Sequence, residues 1–330
     1  MKYTDIPGLG KKSSKAVFGA GNVDFARRQE CIEMMDAFVQ NGGNIFDTAN
    51  IYGRWLESGL NESEIIIGDW LYERIELWKA FKREDIIIST KGGHPDLNTM
   101  EIHRMNYEDI KADLDESLNS LKLDYIDIYW LHRDALSLPV KYIIDSLMKL
   151  RKSGKIKLFG LSNWNPQRLS EALDYLKSIG EEDGFFGVQN RWSLASMNKD
   201  GSEDKTLEAM SYEQYNLHHE SQFFEMPYSS MGKGYFSKLL NSGKENLPAG
   251  LLQYYDNELN DLRFNALSKL SEKLNENISR LTLAYLINQP FPVIPIFGSS
   301  NPGQLQDIVS ATEIKLSDDD MKLLSQGVPY

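Results

Sequence analysis

Gly42-Gly43-Asn44-Ile45-Phe46-Asp47-Thr48-Ala49-Asn50-Ile51-Tyr52-Gly53 decides how this chain is read. A short apolar run ends in an aspartate, and a tyrosine follows among turn-forming residues. A buried strand has this appearance where it stops at a site and leaves polar groups at its mouth. Two further runs end alike: Ile86-Ile87-Ile88-Ser89-Thr90-Lys91 in a lysine, and Ile126-Asp127-Ile128-Tyr129-Trp130-Leu131-His132 in a histidine. An Asp, a Tyr, a Lys and a His at strand ends make a set suited to proton transfer.

Outward from that stretch, strands and helices alternate. Residues 1–13 read as a polar, Gly-rich surface lead-in and 14–21 as a first short strand. Apolar residues at helical spacing predict a helix over 28–40, stopped by Asn41-Gly42-Gly43. A second helix is expected over 63–78, a third over 107–121, a fourth over 139–152 and a fifth over 166–178. Strands are expected at 85–91, 125–132, 155–161, 185–190, 222–228 and 293–297. Helices near 204–217, 256–275, 279–288, 302–312 and 317–326 complete the pattern, with the longest loop over 229–255.

Repeated strand-helix units imply parallel pairing and a (β/α)₈ TIM barrel, an α/β fold read here as a single domain over 1–330. A doubly wound dinucleotide-binding sheet is the competing fold, but its phosphate fingerprint is incomplete. Phe18-Gly19-Ala20-Gly21-Asn22-Val23-Asp24 lacks the third glycine.

Bulk properties narrow the function. Apolar residues make up 41% of the chain, enough for a sizeable core, and the formal net charge of −12 disfavours nucleic acid and anionic membranes as partners. No apolar run approaches membrane-spanning length and the polar start is unlike a signal peptide, so a soluble, cytoplasmic protein is expected. Cys31 is the only cysteine, which excludes an internal disulfide and a cysteine-based metal cluster. His103, His218 and His219 show no ligand spacing, so no metal is expected, and the 218–219 doublet reads as surface.

In a barrel the C-terminal strand ends share one bowl, which would make neighbours of Asp47, Lys91 and His132, with Tyr52 just beyond. An Asp–Lys pair alone is an ordinary structural tie. The tyrosine adds chemistry, because a free phenol titrates near 10 and donates usefully near neutrality only beside a cation that stabilises the phenolate. Reduction of a carbonyl requires such an arrangement: hydride reaches carbon while a positioned acid protonates oxygen. The hydride must come from a cofactor, since no side chain supplies one.

The sequence resembles the aldo-keto reductase superfamily over nearly its whole length. The likeness is carried by Phe46-Asp47-Thr48-Ala49-Asn50-Ile51-Tyr52-Gly53, Asn61-Glu62-Ser63-Glu64-Ile65-Ile66-Ile67-Gly68 and Ser89-Thr90-Lys91-Gly92. It continues in Asp127-Ile128-Tyr129-Trp130-Leu131-His132-Arg133, Gly160-Leu161-Ser162-Asn163-Trp164, Val188-Gln189-Asn190 and Pro227-Tyr228-Ser229. The resemblance implies a barrel that binds an extended nicotinamide cofactor, NAD(H) or NADP(H), and reduces an aldehyde or ketone to an alcohol or runs the reverse. It assigns Tyr52 as general acid, Lys91 as the cation that lowers its pKa, Asp47 as the partner of Lys91 and His132 as the group that orients the substrate. It also implies that Ser162, Asn163 and Gln189 hold the carboxamide, that Tyr228 stacks on the nicotinamide ring, and that Ser229 lies beside it. Ordinary helix capping also accounts for Ser162 and Asn163.

One departure stands out. Members of the family commonly place cations after the last strand to hold the adenosine 2′-phosphate, whereas here the run is Gly298-Ser299-Ser300-Asn301-Pro302-Gly303-Gln304-Leu305-Gln306-Asp307. Gly298 and Gln304 stand where the cations would be. A phosphate without a cation is poorly held, so NAD(H) is expected to serve at least as well as NADP(H). Lys233 or Lys238 in the long loop could still reach over. Ser299 and Ser300 read equally as phosphate or ribose contacts and as a helix N-cap.

Substrate contacts are expected from Trp55, His94, Trp164 and Trp192, which follow strand ends, and such a bowl suits sugars, polyols and simple aldehydes alike. Trp130 is either pocket floor or core. Two other readings remain: a cofactor-binding regulatory or structural barrel with little turnover, and a hydrolase using Asp47 with Asp127. The latter needs Asp127 at the rim, yet it lies well before its strand's end. A small-molecule carbonyl or alcohol is the expected partner, and the chain fits a monomer or a homodimer.

Overall fold

The computed structural model describes residues 1–198, 201, 204–298 and 302–329. Among these residues, eight strands form one sheet in which each pair is parallel: β3 (Val17–Gly19), β4 (Ile45–Asp47), β5 (Ile87–Gly92), β6 (Ile126–Leu131), β7 (Ile156–Ser162), β8 (Phe185–Gln189), β9 (Phe224–Glu225) and β10 (Ile296–Phe297). Strands β3 to β9 are neighbours in chain order, and β10 returns to β3. The circle closes at the last seam. Glu225 N–H donates to the Pro292 carbonyl at 2.9 Å, and the N–H groups of Ile294 and Ile296 donate to Glu225 and Pro227 at 3.0 and 2.9 Å. This is the (β/α)₈ barrel that the alternation predicts.

Apolar side chains of successive strands fill the interior: Val17, Ile45, Ile87, Ile128, Leu158, Phe186, Phe224 and Ile294. Trp130 stands one inward position further along β6 than Ile128, belongs to the same apolar cluster and is fully buried, so it is core. Its indole occupies the space a side chain at Gly160 would need, where a Cβ would lie 2.2 Å from the ring.

The outer helices are α1 (Arg28–Gln40), α2 (Glu62–Tyr72), α3 (Tyr107–Leu121), α4 (Val140–Lys152), α5 (Pro166–Ile179) and α6 (Tyr212–Ser221). Beyond them lie α7 (Tyr235–Ser242), α8 (Ala249–Tyr255), α9 (Glu258–Leu274), α10 (Ile278–Ile287), α11 (Pro302–Ala311) and α12 (Asp318–Ser325). Their starts follow local chemistry: the side chains of Asn106, Asn165, Ser211, Asn257, Asn277 and Ser317 each cap a first turn. The helix expected over 63–78 is α2 followed by a wider turn over Glu73–Leu77.

Three expectations need correction. Residues 1–13 are not a bare lead-in: β1 (Tyr3–Ile6) and β2 (Lys11–Ser14) form an antiparallel hairpin beneath the barrel, and Ile6 enters the interior core. Asn44 ties it down, accepting from Ser14 N–H and donating to the Lys12 carbonyl, both at 2.8 Å. The loop expected over 229–255 contains α7 and α8, whose apolar faces pack beside α9 and α10. Helix α6 begins at Tyr212 rather than near 204, because the stretch before it pairs with the strand extension, bridging Arg191 and Ala209, until Ser211 caps the turn.

Asp127 faces the hairpin end, where its buried carboxylate meets Lys11 and Arg83, each at 2.6 Å, and accepts from Ile88 N–H. It cannot partner Asp47 in hydrolysis. Among the described residues no helix is long and apolar enough to cross a membrane.

Candidate active site

The geometry begins where β4 and β5 end. Asp47 and Lys91 are both buried, and Lys91 Nζ lies 2.5 Å from Asp47 Oδ2. An ammonium has three protons to place. The second goes to the Thr48 carbonyl at 2.6 Å and the third to the Tyr52 hydroxyl at 3.3 Å. Burial by itself pushes the lysine down, but the charge of Asp47, followed by Tyr52, outweighs it and holds the amine above its ordinary value. Lys91 therefore stays charged in a site nearly closed to water.

Asp47 is fixed from its other side. Oδ1 accepts from Ser89 Oγ at 2.8 Å and from Gln189 Nε2 at 3.1 Å, and Trp130 Nε1 donates to Ser89 Oγ at 2.7 Å. Ser89 is a site residue the sequence reading passed over. Its signal was present: it sits two residues before Lys91 and so shares that strand face.

Tyr52 reaches the lysine because its loop is pinned. Asn50 N–H donates to the Lys91 carbonyl at 3.0 Å, and Tyr52 N–H closes a turn onto Ala49. Gly53 has φ of +101°, and a Cβ there would stand 2.7 Å from the Glu62 nitrogen, so only glycine lets the loop meet α2 this closely.

His132 follows β6, and its ring lies edge-on to Tyr52 with centroids 5.8 Å apart. Burial first, then the cations of Arg133 and Lys91 with His94, hold its imidazole well below the usual range, so it is neutral. Nδ1 is buried with no hydrogen-bond partner among the described residues. An orphaned acceptor is tolerated better than an orphaned N–H, which places the proton on Nε2. His94, from the loop after β5, packs edge-on against His132 at 4.9 Å. Its Nδ1 lies 2.7 Å from the Pro95 carbonyl. Burial, then Arg133, lowers its pKa to about 4.

Along the next strand ends, Ser162 Oγ donates to the Gln189 carbonyl at 2.7 Å. Asn163 adopts a left-handed backbone (φ 60°), donates through Nδ2 to the His132 carbonyl and Ser162 Oγ, and accepts at Oδ1 from Glu208 N–H and from Tyr228 at 2.8 Å. The amide of Asn163 is thus engaged at both ends. Gln189 donates to Asp47, and its side-chain oxygen makes no hydrogen bond among the described residues. Tyr228 is held by its hydroxyl, with the Arg191 guanidinium 5.8 Å over its ring. Ser229 starts a turn, accepting from Gly232 N–H at 2.8 Å. Gly298 is exposed with open space around it and Gln304 is exposed on α11, while Ser299 and Ser300 lie outside the described residues.

The four expected substrate contacts divide. Trp55 stands 52% exposed at the rim with its ring 6.0 Å from Tyr52, and His94 borders His132. Trp164 and Trp192 are instead packed away. Trp164 is fully buried and donates to the Arg133 carbonyl, and Trp192 stacks on Phe291 in the core beneath α9 and α10. Period-two reasoning placed them after strand ends but could not give the direction of an irregular backbone.

A second correction concerns His218. It is fully buried rather than on the surface, sandwiched by Phe223 and Phe291, with Nε2 2.8 Å from Glu225 Oε2. Burial raises the Glu225 carboxyl, partly offset by His218. Among the described residues no group of three or more His, Cys, Asp or Glu is placed to hold a metal.

Known proteins share this organisation. The model of the aldo/keto reductase family matches residues 15–327. A probable aldo-keto reductase 1 of Glycine max is 28% identical, with 94% of this chain and 82% of that protein covered. A putative aryl-alcohol dehydrogenase AAD14 of Saccharomyces cerevisiae is 26% identical over 94% of this chain and 80% of its own length. An aryl-alcohol dehydrogenase [NADP(+)] of Phanerodontia chrysosporium is 25% identical over 95% and 79%. Among solved structures, the thermostable aldo-keto reductase Tm1743, in complex with the inhibitor epalrestat, superposes with a TM-score of 0.70 at 21% identity, each chain covered to 99%. That last likeness speaks for the fold.

Proposed function

The chain belongs to the aldo/keto reductase family, and we propose that it reduces an aldehyde or ketone to an alcohol, or runs the reverse, with NAD(H) or NADP(H), using Tyr52 as general acid and base. One observation carries the proposal: a buried, charged lysine whose remaining proton points at a tyrosine hydroxyl 3.3 Å away.

The residues present suit a nicotinamide cofactor. Gln189 keeps an amide oxygen without a hydrogen-bond partner among the described residues, and Tyr228 offers a ring clamped at its hydroxyl by Asn163. Gln189 and Ser162 would hold the carboxamide, Tyr228 and Ser229 the ring side, and Asn163 would act by orienting Tyr228. The bound cofactor supplies hydride to the carbonyl carbon or accepts it from the alcohol.

The chain's own part is proton transfer and charge control. The Tyr52 hydroxyl and His132 Nε2–H hold the substrate oxygen between them. As negative charge develops there, Tyr52 gives up its proton, and the Lys91 ammonium stabilises the resulting phenolate at close range. Asp47 keeps that ammonium in place. In the alcohol direction Tyr52 takes the proton back. His132, being neutral, adds a hydrogen bond without competing for the proton.

The finer reading of the cofactor is that NAD(H) serves at least as well as NADP(H). Gly298 and Gln304 bring no charge, and Asp307 on the same helix pairs with Arg280 at 3.0 Å. Lys233 sits over the Tyr254 ring at 3.9 Å. The substrate is a small carbonyl compound, of aryl, sugar or polyol type, taken up past Trp55. Parallel fluorescence titrations with NADH and NADPH, followed by carbonyl-dependent oxidation of the bound form, test the whole reading. Binding of neither cofactor would sink it.

A further inference from the structure

Two imidazoles border the reaction position, and they differ in what they present. His132 offers an N–H from Nε2, as its orphaned Nδ1 requires. His94 is the converse. Pro95 has only a carbonyl at its backbone, so His94 Nδ1, 2.7 Å away, must be the donor there. The neutral ring then carries its lone pair on Nε2, and that atom has no hydrogen-bond partner among the described residues. Protonation does not interfere near neutrality, since burial and Arg133 bring this ring to about 4. The ring is held by that bond and by its edge-on packing against His132, and the backbone beneath it is pinned: Gly93 N–H donates to Asp113 at 2.8 Å, and Arg104, paired with Asp113 at 2.6 Å, donates to the His94 carbonyl at 3.4 Å.

The rings of Tyr52, His132 and His94 form a row, with successive centroids 5.8 and 4.9 Å apart. With a carbonyl oxygen held between Tyr52 and His132, a substituent on the neighbouring carbon that turns toward His132 comes within reach of His94, whose ring lies 4.9 Å from that of His132. We infer that His94 determines specificity: its Nε2 accepts a hydrogen bond from a hydroxyl on the carbon next to the reacting carbonyl, so the site selects α-hydroxy aldehydes and ketones over analogues lacking that hydroxyl. The inference rests on the reductase reading above and names the substrate class of that site. A fixed acceptor left facing a methyl group loses its partner, and sites built around such a bond discriminate more strongly than sites built on shape.

The test compares lactaldehyde with isobutyraldehyde, which differ by a hydroxyl in place of a methyl, using the full chain and whichever of NADH or NADPH binds. An α-hydroxyl activates a carbonyl for any catalyst, so the informative quantity is how the ratio of kcat/KM values changes with the residue. The ratio in the unaltered protein is expected to exceed that in His94→Phe by roughly tenfold, the scale of one such hydrogen bond. His94→Gln, which retains an acceptor oxygen, is expected to recover part of the preference. His94→Met serves in place of His94→Phe if circular dichroism shows the latter unfolded. Equal ratios in the unaltered protein and the acceptor-free variant overturn the inference while leaving the reductase reading intact. Failure of the unaltered protein to reduce either aldehyde while it binds NADH or NADPH also overturns the inference, whereas binding of neither cofactor overturns the reductase reading and this inference with it.

Discussion

The Lys91 ammonium lies 3.3 Å from the Tyr52 hydroxyl and 2.5 Å from the Asp47 carboxylate. Tyr52 therefore faces a positive charge that a carboxylate anchors.

Replacing Tyr52 with Phe removes the proton donor and leaves the ring. Turnover is expected to fall by about 10²- to 10⁴-fold, the usual contribution of a positioned acid. NADH quenching of tryptophan fluorescence should persist. A Tyr52→Phe variant with unchanged kcat would remove Tyr52 from the chemistry.

Lys91→Met strands the Asp47 carboxylate, and Asp47→Asn strands the ammonium. Each single change is expected to destabilise the fold by about 3–5 kcal/mol, measured from urea midpoints. The double variant should recover much of that loss, since two neutral groups replace a broken pair, yet remain inactive. A double variant no more stable than either single one would show that the pair is not a coupled unit.

Glu64 gives a pH dependence. It is buried behind β5, where it accepts from Thr90 at 2.6 Å and Asn61 at 2.8 Å, and burial raises its carboxyl from 4.5 to about 7. The folded state thus holds this proton more tightly than the unfolded chain. The stabilisation is full below pH 4.5 and is lost as pH rises through 7. Glu64→Gln does not titrate, so the stability of the unaltered protein relative to this variant should drop by on the order of 3 kcal/mol between pH 4 and 8. A gap independent of pH would contradict the assignment.

Gly160→Ala puts a methyl group where Trp130 stands. Overpacking of this kind costs about 1–3 kcal/mol. Because Trp130 donates to Ser89, which donates to Asp47, the displacement should also lower kcat. Tryptophan emission and activity are expected to change together.

Gln304→Arg supplies a cation near the expected adenosine end. The Kd ratio of NADH to NADPH is expected to move about tenfold toward NADPH, the worth of one charge-assisted bond. An unmoved ratio would place the adenosine ribose elsewhere.

The barrel and the gathering of these side chains at one end of it were legible because strand endings carry their own signal: Asp47, Lys91 and His132 each follow a short, continuous run of a buried strand. The hairpin was not. Tyr3–Ile6 and Lys11–Ser14 are short and polar, only Ile6 is buried outright among β1 residues, and the residue that anchors the hairpin, Asn44, lies far along the chain. His218 misled for a related reason. Its helix shows little amphipathic pattern, and the partner that makes its burial tolerable, Glu225, belongs to a different element. Trp164 and Trp192 were read as lining because position after a strand gives place but not direction. The tautomers of His94 and His132 depend on a carbonyl and on an absent partner, which no spacing encodes.

The closing seam has a consequence for how the molecule is made. Val17, near the start, donates to Pro295, near the end, and the opposite side of that strand joins Glu225. A ribosome delivers β3 before every other strand of this sheet and the sequence that seals it after all of them, so the nascent sheet waits as an open arc until residues 292–297 emerge. Contacts of such long range make for slow folding and a prolonged period of vulnerability to self-association. The two strands that meet at the gap, β9 and β10, are each two residues long and rich in neighbouring prolines, and so offer a stray strand little to pair with.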